Sequence, residues 1–201
     1  RELETAWGSE AVTEAPITYR TTALATETGK PGLVYNAYGI NGATTSHFLS
    51  PELLAMADTL QPDLLILSFG TNESHAKGYN EEAHRAAMEQ LIDSLSSRCT
   101  QATIMLTTPP GEYLRRYVRR NGKRRTIRTS NPRTARAAAE IARLAADRQL
   151  PLWDLYHIAG GEYACRNWST GRYFRPDGVH FTHEGYALQG RLLARALLEA
   201  T

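Results

Sequence analysis

From residue 32 onward, the chain alternates short apolar runs with helical patterns, and this alternation constrains the fold more than any other feature. The apolar runs occupy residues 33–35, 63–68, 103–106 and 151–155, and each has the length of a strand. The segments that follow them carry apolar residues at helical spacing. Repeated strand–helix units predict a parallel sheet with helices on both faces. The sequence therefore predicts an α/β fold with four parallel strands.

Capping residues mark the starts of the helices. Ser50-Pro51 and Asn131-Pro132 each place a side-chain acceptor before a proline that suits the first helical position. Thr182 is placed to cap the last helix. In open parallel sheets, ligands bind at the carboxyl ends of the strands. The predicted site is therefore formed by the segments after the strands and by the loop before the last helix: 39–46, 70–75, 107–113 and the residues leading to Thr182.

Residues 1–31 do not follow this rhythm. Residues 17–23 alternate weakly between apolar and polar side chains, which is typical of a single β-strand. Residues 29–32 form a glycine- and proline-containing turn signal. We interpret residues 1–31 as the tail of an upstream or inserted β-rich element, followed by one domain over residues 32–201.

The composition is that of an ordinary water-soluble globular domain, with 42% hydrophobic and 22% charged residues. The longest apolar runs are far shorter than the roughly 20 residues that span a bilayer, so no membrane span is expected. Two cysteines, Cys99 and Cys165, do not make a disulfide framework, although one bridge between them stays open. His180 and His183 lack a third ligand at zinc spacing. We therefore expect no metal or other cofactor.

A strongly basic run lies between residues 115 and 128. It contains eight Lys or Arg residues and no acid, and because the whole chain carries +2, the other residues carry −6. The favoured interpretation is a solvated loop or hairpin around Asn121-Gly122. A lid that attracts acidic polysaccharide is the second interpretation. Nucleic-acid binding is disfavoured, because only Tyr117 supplies an aromatic ring for stacking.

Three of the predicted strand-end segments carry residues suited to acyl transfer. Asp177 and His180 are three residues apart, so the carboxylate can fix the imidazole tautomer and leave the other ring nitrogen free to accept a proton. The amide of Asn72 and the backbone N–H of Gly42 are donors of the kind that stabilise a developing oxyanion. Taken singly, each residue also has an ordinary structural interpretation: a helix cap, a loop-ordering amide or a tight turn.

These segments contain recognisable motifs. They are Asn-Gly-Ala-Thr-Thr at 41–45, Gly-Thr-Asn-Glu at 70–73 and Pro-Asp-Gly-Val-His-Phe-Thr-x-x-Gly-Tyr at 176–186. In this order and on these elements, they resemble blocks II, III and V of the SGNH (GDSL-type) hydrolases. The resemblance extends over roughly residues 32–200. Segments 35–43 and 153–168 are similar to an exported subgroup from Bacteroidetes, which implies a periplasmic or secreted protein.

The resemblance implies a three-layer, flavodoxin-like α/β/α fold and ester hydrolysis through an acyl-enzyme, without a metal or cofactor. It implies that His180 is the general base and that Asp177 orients it. It also implies that Gly42 and Asn72 are the oxyanion donors. The implied substrates are small acyl esters, often acetyl groups on carbohydrate.

The sequence departs from the family at block I, the first strand that ends in the Gly-Asp-Ser nucleophile. Ser9 is the only serine before residue 46, and no apolar strand precedes it. Ser46, Ser50 and Ser74 lie near the motifs but out of the family's order. We therefore expect the first strand of the sheet and its serine in a preceding segment of the same polypeptide. The alternative is a non-catalytic glycan-binding relative that has lost the serine.

Overall fold

The computed structural model describes residues 17–23, 34–169 and 172–199. The chain forms two compact units, residues 1–43 and 44–201, and each is described by itself. In the first unit, β1 (Ile17–Ala23) and β2 (Val34–Ile40) form an antiparallel pair in which Ile17 faces Ile40 and Ala23 faces Val34. This confirms the predicted strand at residues 17–23.

The predicted position of the 33–35 run in the parallel sheet is wrong. Among the described residues, its strand, β2, pairs only with β1, in a sheet of two antiparallel strands. The side chains of Val34 and Tyr35 are 47% and 55% exposed. A strand of a parallel sheet is covered on both faces, and β2 lacks that cover. An apolar run of this length reports a strand but not which partner it pairs with.

The second unit contains the parallel sheet. Strands β3 (Leu64–Ser68), β4 (Thr103–Thr107) and β7 (Leu152–Trp153) lie side by side in the order β3-β4-β7, so the described part of this sheet has three strands rather than the four predicted. Within the described residues, β3 pairs on one edge only, with β4. The prediction that a further strand lies beside this sheet stays a prediction, as does the assignment of residues 1–31 to an inserted element.

Helices follow the strands as the alternation predicts. A short 3-10 helix (Thr45–Leu49) precedes the first of them, and another (Gly161–Tyr163) precedes α6. The α-helices are α1 (Pro51–Leu60), α2 (Thr71–His75), α3 (Glu81–Arg98), α4 (Pro132–Asp147), α5 (Leu155–Ile158), α6 (Ala164–Ser169) and α7 (His183–Glu199).

The predicted helix caps are confirmed. Ser50 Oγ accepts from the N–H of Leu53 at 3.3 Å. Asn131 Oδ1 accepts from Arg133 N–H at 3.1 Å, and Thr182 Oγ1 accepts from Gly185 N–H at 3.2 Å. Each bond satisfies a donor that would have no partner inside its helix.

Two apolar cores lie on opposite faces of the sheet. Ile104 and Leu106 of β4 pack into one core, whereas Met105 between them packs into the other, because successive side chains of a strand point to opposite faces. The first core is built mainly from α1, α3 and α4: Leu54, Met88, Leu91, Ile92, Leu95, Ile141 and Leu144. The second is built mainly from the segment around α5 and α6 and from α7: Trp153, Leu155, Cys165, Phe174, Phe181, Leu192 and Leu193. Helices therefore cover both faces, which confirms the predicted α/β class.

The basic run forms a hairpin, as the Asn-Gly turn signal predicts. Strands β5 (Tyr113–Arg120) and β6 (Lys123–Ser130) pair antiparallel across Asn121 and Gly122. Both turn residues have positive φ, 52° and 72°, as a type I′ turn requires. We call residues 113–130 the basic hairpin.

Further properties concern the described residues alone. None of their helices is long and apolar enough to cross a membrane, and none of their His, Cys, Asp and Glu side chains form a group of three or more suited to a metal. Cys99 and Cys165 are both free and buried, one in each core, so they do not form a bridge. Trp153 and Trp168 pack in the second core.

Candidate active site

The structure places the Asp177 carboxylate against the His180 ring. His180 Nδ1 lies 3.1 Å from Asp177 Oδ2, and Asp177 Oδ1 accepts the backbone N–H groups of Val179 and His180 at 2.8 and 2.9 Å. These bonds fix the carboxylate in a tight turn. The His180 side chain is 63% exposed. With Nδ1–H donated to Asp177, Nε2 is the acceptor and is available for a proton.

Asp177 is held in its ionised form. Burial opposes ionisation, but the backbone N–H groups of Val179 and His180 and the His180 ring outweigh it, and together they lower the pKa of Asp177. The carboxylate therefore stays charged wherever His180 is neutral, as an orienting group must.

Tyr113 and Cys165 hold the turn between Asp177 and His180 in place through Gly178. Gly178 has φ +74°, and a Cβ added there would lie 2.8 Å from Tyr113 Cβ, so only glycine fits. Its carbonyl accepts the N–H of Tyr113 at 2.8 Å and the thiol of Cys165 at 3.0 Å. Burial raises the pKa of Cys165 to about 12, so this thiol is a structural donor and not a nucleophile.

A buried carboxylate, Glu112, connects α2 to this turn. Its side chain is 1% exposed, and Oε1 lies within hydrogen-bond distance of Ser74 Oγ, Asn131 Nδ2 and Thr134 Oγ1. Oε2 lies 3.2 Å from His75 Nδ1. Because Glu112 directly precedes Tyr113, which bonds to Gly178, the α2 segment and the dyad turn are tied to one rigid connection.

Asn72 lies in the first turn of α2, immediately after β3, and is exposed. The neighbouring Glu73 determines the shape of this segment. Glu73 Oε2 accepts the Gly70 N–H at 2.9 Å, and Oε1 accepts the N–H and hydroxyl of Thr45 at 2.7 and 2.8 Å. Gly70 has φ +103°. One carboxylate thus joins Gly70, just after β3, to Thr45, the last residue of motif 41–45, a role that the sequence did not reveal.

We expect Glu73→Gln to lower the free energy of unfolding by about 1–3 kcal/mol. The Thr45 N–H, the Thr45 hydroxyl and the Gly70 N–H all donate to Glu73, so the glutamine NH₂ group must face at least one N–H that needs an acceptor. Urea denaturation measures the change, with exposed Glu82→Gln as the matched control. Equal stability of the Glu73→Gln and Glu82→Gln proteins would contradict the role of Glu73.

The remaining candidate residues lie outside segment 177–180. Gly42 has φ +73°, as a tight turn requires, but it belongs to the first unit, whereas Asn72, Asp177 and His180 belong to the second. Ser9 lies outside the described residues. Ser50 caps α1 and Ser74 is buried against Glu112, so both hydroxyls have structural roles. Among residues 34–169 and 172–199, no serine hydroxyl hydrogen-bonds to His180.

A second pair has the same local geometry. His157 Nδ1 lies 2.6 Å from Asp154 Oδ2, and Asp154 Oδ1 accepts the N–H of His157 at 3.3 Å. Asp154 also accepts the Thr108 hydroxyl at 2.8 Å and follows β7 at the carboxyl edge of the sheet. His157 was not among the site residues predicted from the sequence. The Asp-x-x-His spacing at 154–157, identical to that at 177–180, was the signal that could have found the pair.

A shallow pocket of about 220 Å³ lies between the start of the 3-10 helix and α3, and it contains a buried histidine. His84 Nδ1 lies 3.2 Å from the Tyr79 hydroxyl, and Nε2 has no hydrogen-bond partner among the described residues. Burial lowers the pKa of His84, and Glu73 and Glu140 offset this only in part. His84 is therefore held neutral.

His84 makes stability depend on pH. Below the ordinary histidine pKa of about 6.5, the unfolded chain binds a proton at His84 that the native state does not bind. The free energy of unfolding therefore decreases as the pH drops from about 6.5 to the lowered pKa of His84 in the native state. We expect His84→Gln to reduce this loss. Urea denaturation above and below about pH 6.5 measures this loss of stability, and exposed His47→Gln is the control variant. An unchanged pH dependence in His84→Gln would exclude His84 as the cause.

The chain matches the GDSL-like lipase/acylhydrolase family over residues 5–188, and it therefore belongs to this family of ester hydrolases. This confirms the resemblance carried by motifs 41–45, 70–73 and 176–186. None of the curated proteins matches the chain significantly.

Solved structures show the same fold. A peptidoglycan O-acetylesterase is 25% identical with a TM-score of 0.68, and the match covers 81% of this chain and 45% of that one. A GDSL-like lipase from Bacteroides thetaiotaomicron is 21% identical (TM-score 0.53, 80% and 73% covered), and an acetyl xylan esterase is 20% identical (TM-score 0.54, 81% and 78% covered). The chain thus spans less than half the length of the first of these relatives.

Proposed function

We propose that this chain carries the base and oxyanion donors of a serine ester hydrolase that removes acyl groups, above all acetyl, from carbohydrate. The observation that carries the proposal is the bond between His180 Nδ1 and Asp177 Oδ2, which leaves Nε2 as an exposed acceptor. Family membership supports the ester as the bond that is broken. The acetylesterase among the matched structures supports an acetyl ester of a glycan.

In the proposed reaction, His180 Nε2 removes the proton of the serine hydroxyl while the serine oxygen attacks the ester carbonyl. The Asn72 amide and the Gly42 N–H stabilise the oxyanion of the tetrahedral intermediate. His180 returns the proton to the leaving alcohol, and the acyl group stays on serine. Water, activated by His180, then releases the acid. The sum is ester plus water giving alcohol plus acid, with Asp177 ionised throughout.

The nucleophile in this proposal comes from a polypeptide segment that precedes residue 1. Two observations support this: no Gly-Asp-Ser follows an apolar strand in residues 1–201, and β3 has an edge that is unpaired within the described residues. In keeping with the resemblance to exported Bacteroidetes esterases, we place the protein in the periplasm or outside the cell.

The test compares residues 1–201 alone with the complete polypeptide on p-nitrophenyl acetate and acetylated xylan. We expect turnover from the complete protein and almost none from the isolated chain. Robust activity of residues 1–201 that vanishes in Ser9→Ala would overturn the position of the nucleophile. A complete protein that binds acetylated glycan without hydrolysing it would favour the alternative, a glycan-binding relative. One observation favours this alternative: no serine among the described residues hydrogen-bonds to His180.

In the complete enzyme, we expect Asn72→Ala to lower kcat by about 10²–10³-fold, the usual loss for one oxyanion donor. KM should change much less, because the amide is directed at charge that develops in the transition state. Steady-state kinetics on a neutral acetyl ester separate the two parameters. Exposed Asn80→Ala is the control variant, after a check that it is folded. A change confined to KM would assign Asn72 to ground-state binding instead.

A further inference from the structure

The basic hairpin concentrates positive charge that the rest of the chain does not neutralise. All eight of its Lys and Arg residues are exposed, and within the described residues none of them forms an ion pair. Elsewhere arginines do pair with acids, as Arg85 does with Glu140 and Arg136 with Glu81. The hairpin therefore differs from the ordinary charged surface of this protein.

The register of the hairpin opposes like charges. Arg115 faces Arg128, Arg119 faces Arg124, and Arg120 faces Lys123 across the two strands. Like charges directly opposite each other destabilise an antiparallel pair. An anion bound along the hairpin removes this repulsion. Seven of the eight cations are arginine, whose planar fork binds carboxylates with two parallel hydrogen bonds.

The base of the basic hairpin is the same connection that holds the dyad turn. Tyr113, its first residue, donates its N–H to Gly178 and packs against that glycine, which lies between Asp177 and His180. At its other end, Ser130 Oγ donates to the Glu162 carbonyl at 3.0 Å. From this fixed base, eight residues per strand reach about 25 Å. The basic hairpin therefore starts next to the turn that carries His180.

We infer that the basic hairpin is a substrate-binding arm for a polysaccharide whose repeating units carry carboxylates as well as acyl esters. This inference rests on the proposed esterase function and adds the substrate class. The net charge of −6 on the remaining residues repels such a polymer, so attraction is confined to the hairpin beside the dyad. Tyr117, exposed and stacked by the Arg124 guanidinium at 3.9 Å, offers a rigid apolar face for a sugar ring.

Two other polyanions fit the hairpin less well. Nucleic acids contain no carboxylic ester for the family's chemistry, and the hairpin supplies only one aromatic ring for base stacking. An anionic lipid surface would favour apolar residues at the hairpin tip, but the tip is Arg120, Asn121, Gly122 and Lys123.

The experiment measures kcat/KM of the complete enzyme on acetylated polygalacturonate, acetylated xylan and p-nitrophenyl acetate. The test variant is Arg115→Gln/Arg119→Gln/Arg124→Gln/Arg128→Gln. The control variant removes four exposed charges elsewhere: Lys77→Gln/Arg166→Gln/Arg191→Gln/Arg195→Gln. On the anionic polymer, we expect the test variant to lose about 10-fold or more, within the range that electrostatic steering supplies, and the control to lose little. Xylan and p-nitrophenyl acetate should be unaffected, which also shows that the test variant is folded.

Salt gives a second readout. Raising the ionic strength from about 0.01 M to about 1 M shortens the Debye length from roughly 30 Å to roughly 3 Å, and should abolish the advantage of the anionic polymer in the wild type. Equal losses in the test and control variants, or no salt dependence, would overturn the inference.

Binding of unacetylated polygalacturonate, measured by calorimetry, separates the inference from the proposed function. Salt-sensitive binding that the test variant loses supports the hairpin's role even if p-nitrophenyl acetate is not hydrolysed, and in that case only the esterase proposal fails. Hydrolysis of p-nitrophenyl acetate without polygalacturonate binding sinks the inference and leaves the esterase. Displacement of polygalacturonate by double-stranded DNA or by anionic phospholipid vesicles at equal charge would overturn the inference in favour of that partner.

Discussion

Replacing His180 with alanine in the complete enzyme is expected to lower kcat for acetyl esters by on the order of 10⁶-fold, as loss of the base does in other serine hydrolases. The reason is that, in the proposed reaction, Nε2 of His180 accepts the serine proton while Nδ1 is held by Asp177. Residual turnover should persist, because oxyanion stabilisation and substrate binding survive the loss of the base.

The chain supplies a matched control in His157→Ala. His157 has the same Asp-x-x-His geometry, is 75% exposed and lies 2.6 Å from its carboxylate partner. Kinetics of both variants on p-nitrophenyl acetate, together with their circular dichroism, decide between the two pairs. If His157→Ala abolishes turnover and His180→Ala does not, the catalytic dyad is at 154–157, at the carboxyl edge of β7, and the assignment to residues 177–180 is wrong.

Asp177→Asn is expected to lower kcat by about 10⁴-fold, because the amide permits the tautomer in which Nε2 carries the proton. The pKa of Asp177 is lowered, so in the wild type this carboxylate stays ionised down to pH values below the ordinary aspartate pKa of about 3.9. Loss of activity as the pH falls toward that value should therefore not come from protonation of Asp177.

A pH–rate profile on a neutral ester tests this expectation, because the substrate does not titrate. Asp154→Asn is the control for the general effect of removing a carboxylate beside a histidine. A near-wild-type rate in Asp177→Asn across this pH range would reduce Asp177 to a residue that shapes the turn before α7.

Much of the fold followed from local sequence. The caps at Ser50, Asn131 and Thr182 were predicted because a capping side chain bonds only two or three residues ahead. The hairpin turn was predicted because few residues other than Asn and Gly adopt positive φ readily. Strand β2 was predicted as a strand but assigned to the wrong sheet. Pairing joins residues distant in sequence, and a short apolar run contains no information about its partner.

In the candidate site, too, contacts between residues close in sequence were predictable and contacts between distant segments were not. The Asp177–His180 contact spans three residues, so the motif alone specified it. The burial of Glu112 was invisible in the sequence, because its partners come from two separate segments: Ser74 and His75 from the end of α2, and Asn131 and Thr134 from the start of α4. Glu73 was likewise hidden, since it acts by bonding to Thr45, 28 positions away.

The sequence by itself thus determined the α/β class, the helix starts, the hairpin and the dyad, each through interactions within a few residues. Only the tertiary structure decided which strands share a sheet, which carboxylates are buried, and that the basic hairpin starts at the Gly178 turn beside His180. The physical reason is that burial and strand pairing depend on contacts between segments that the chain brings together only when it packs its two cores.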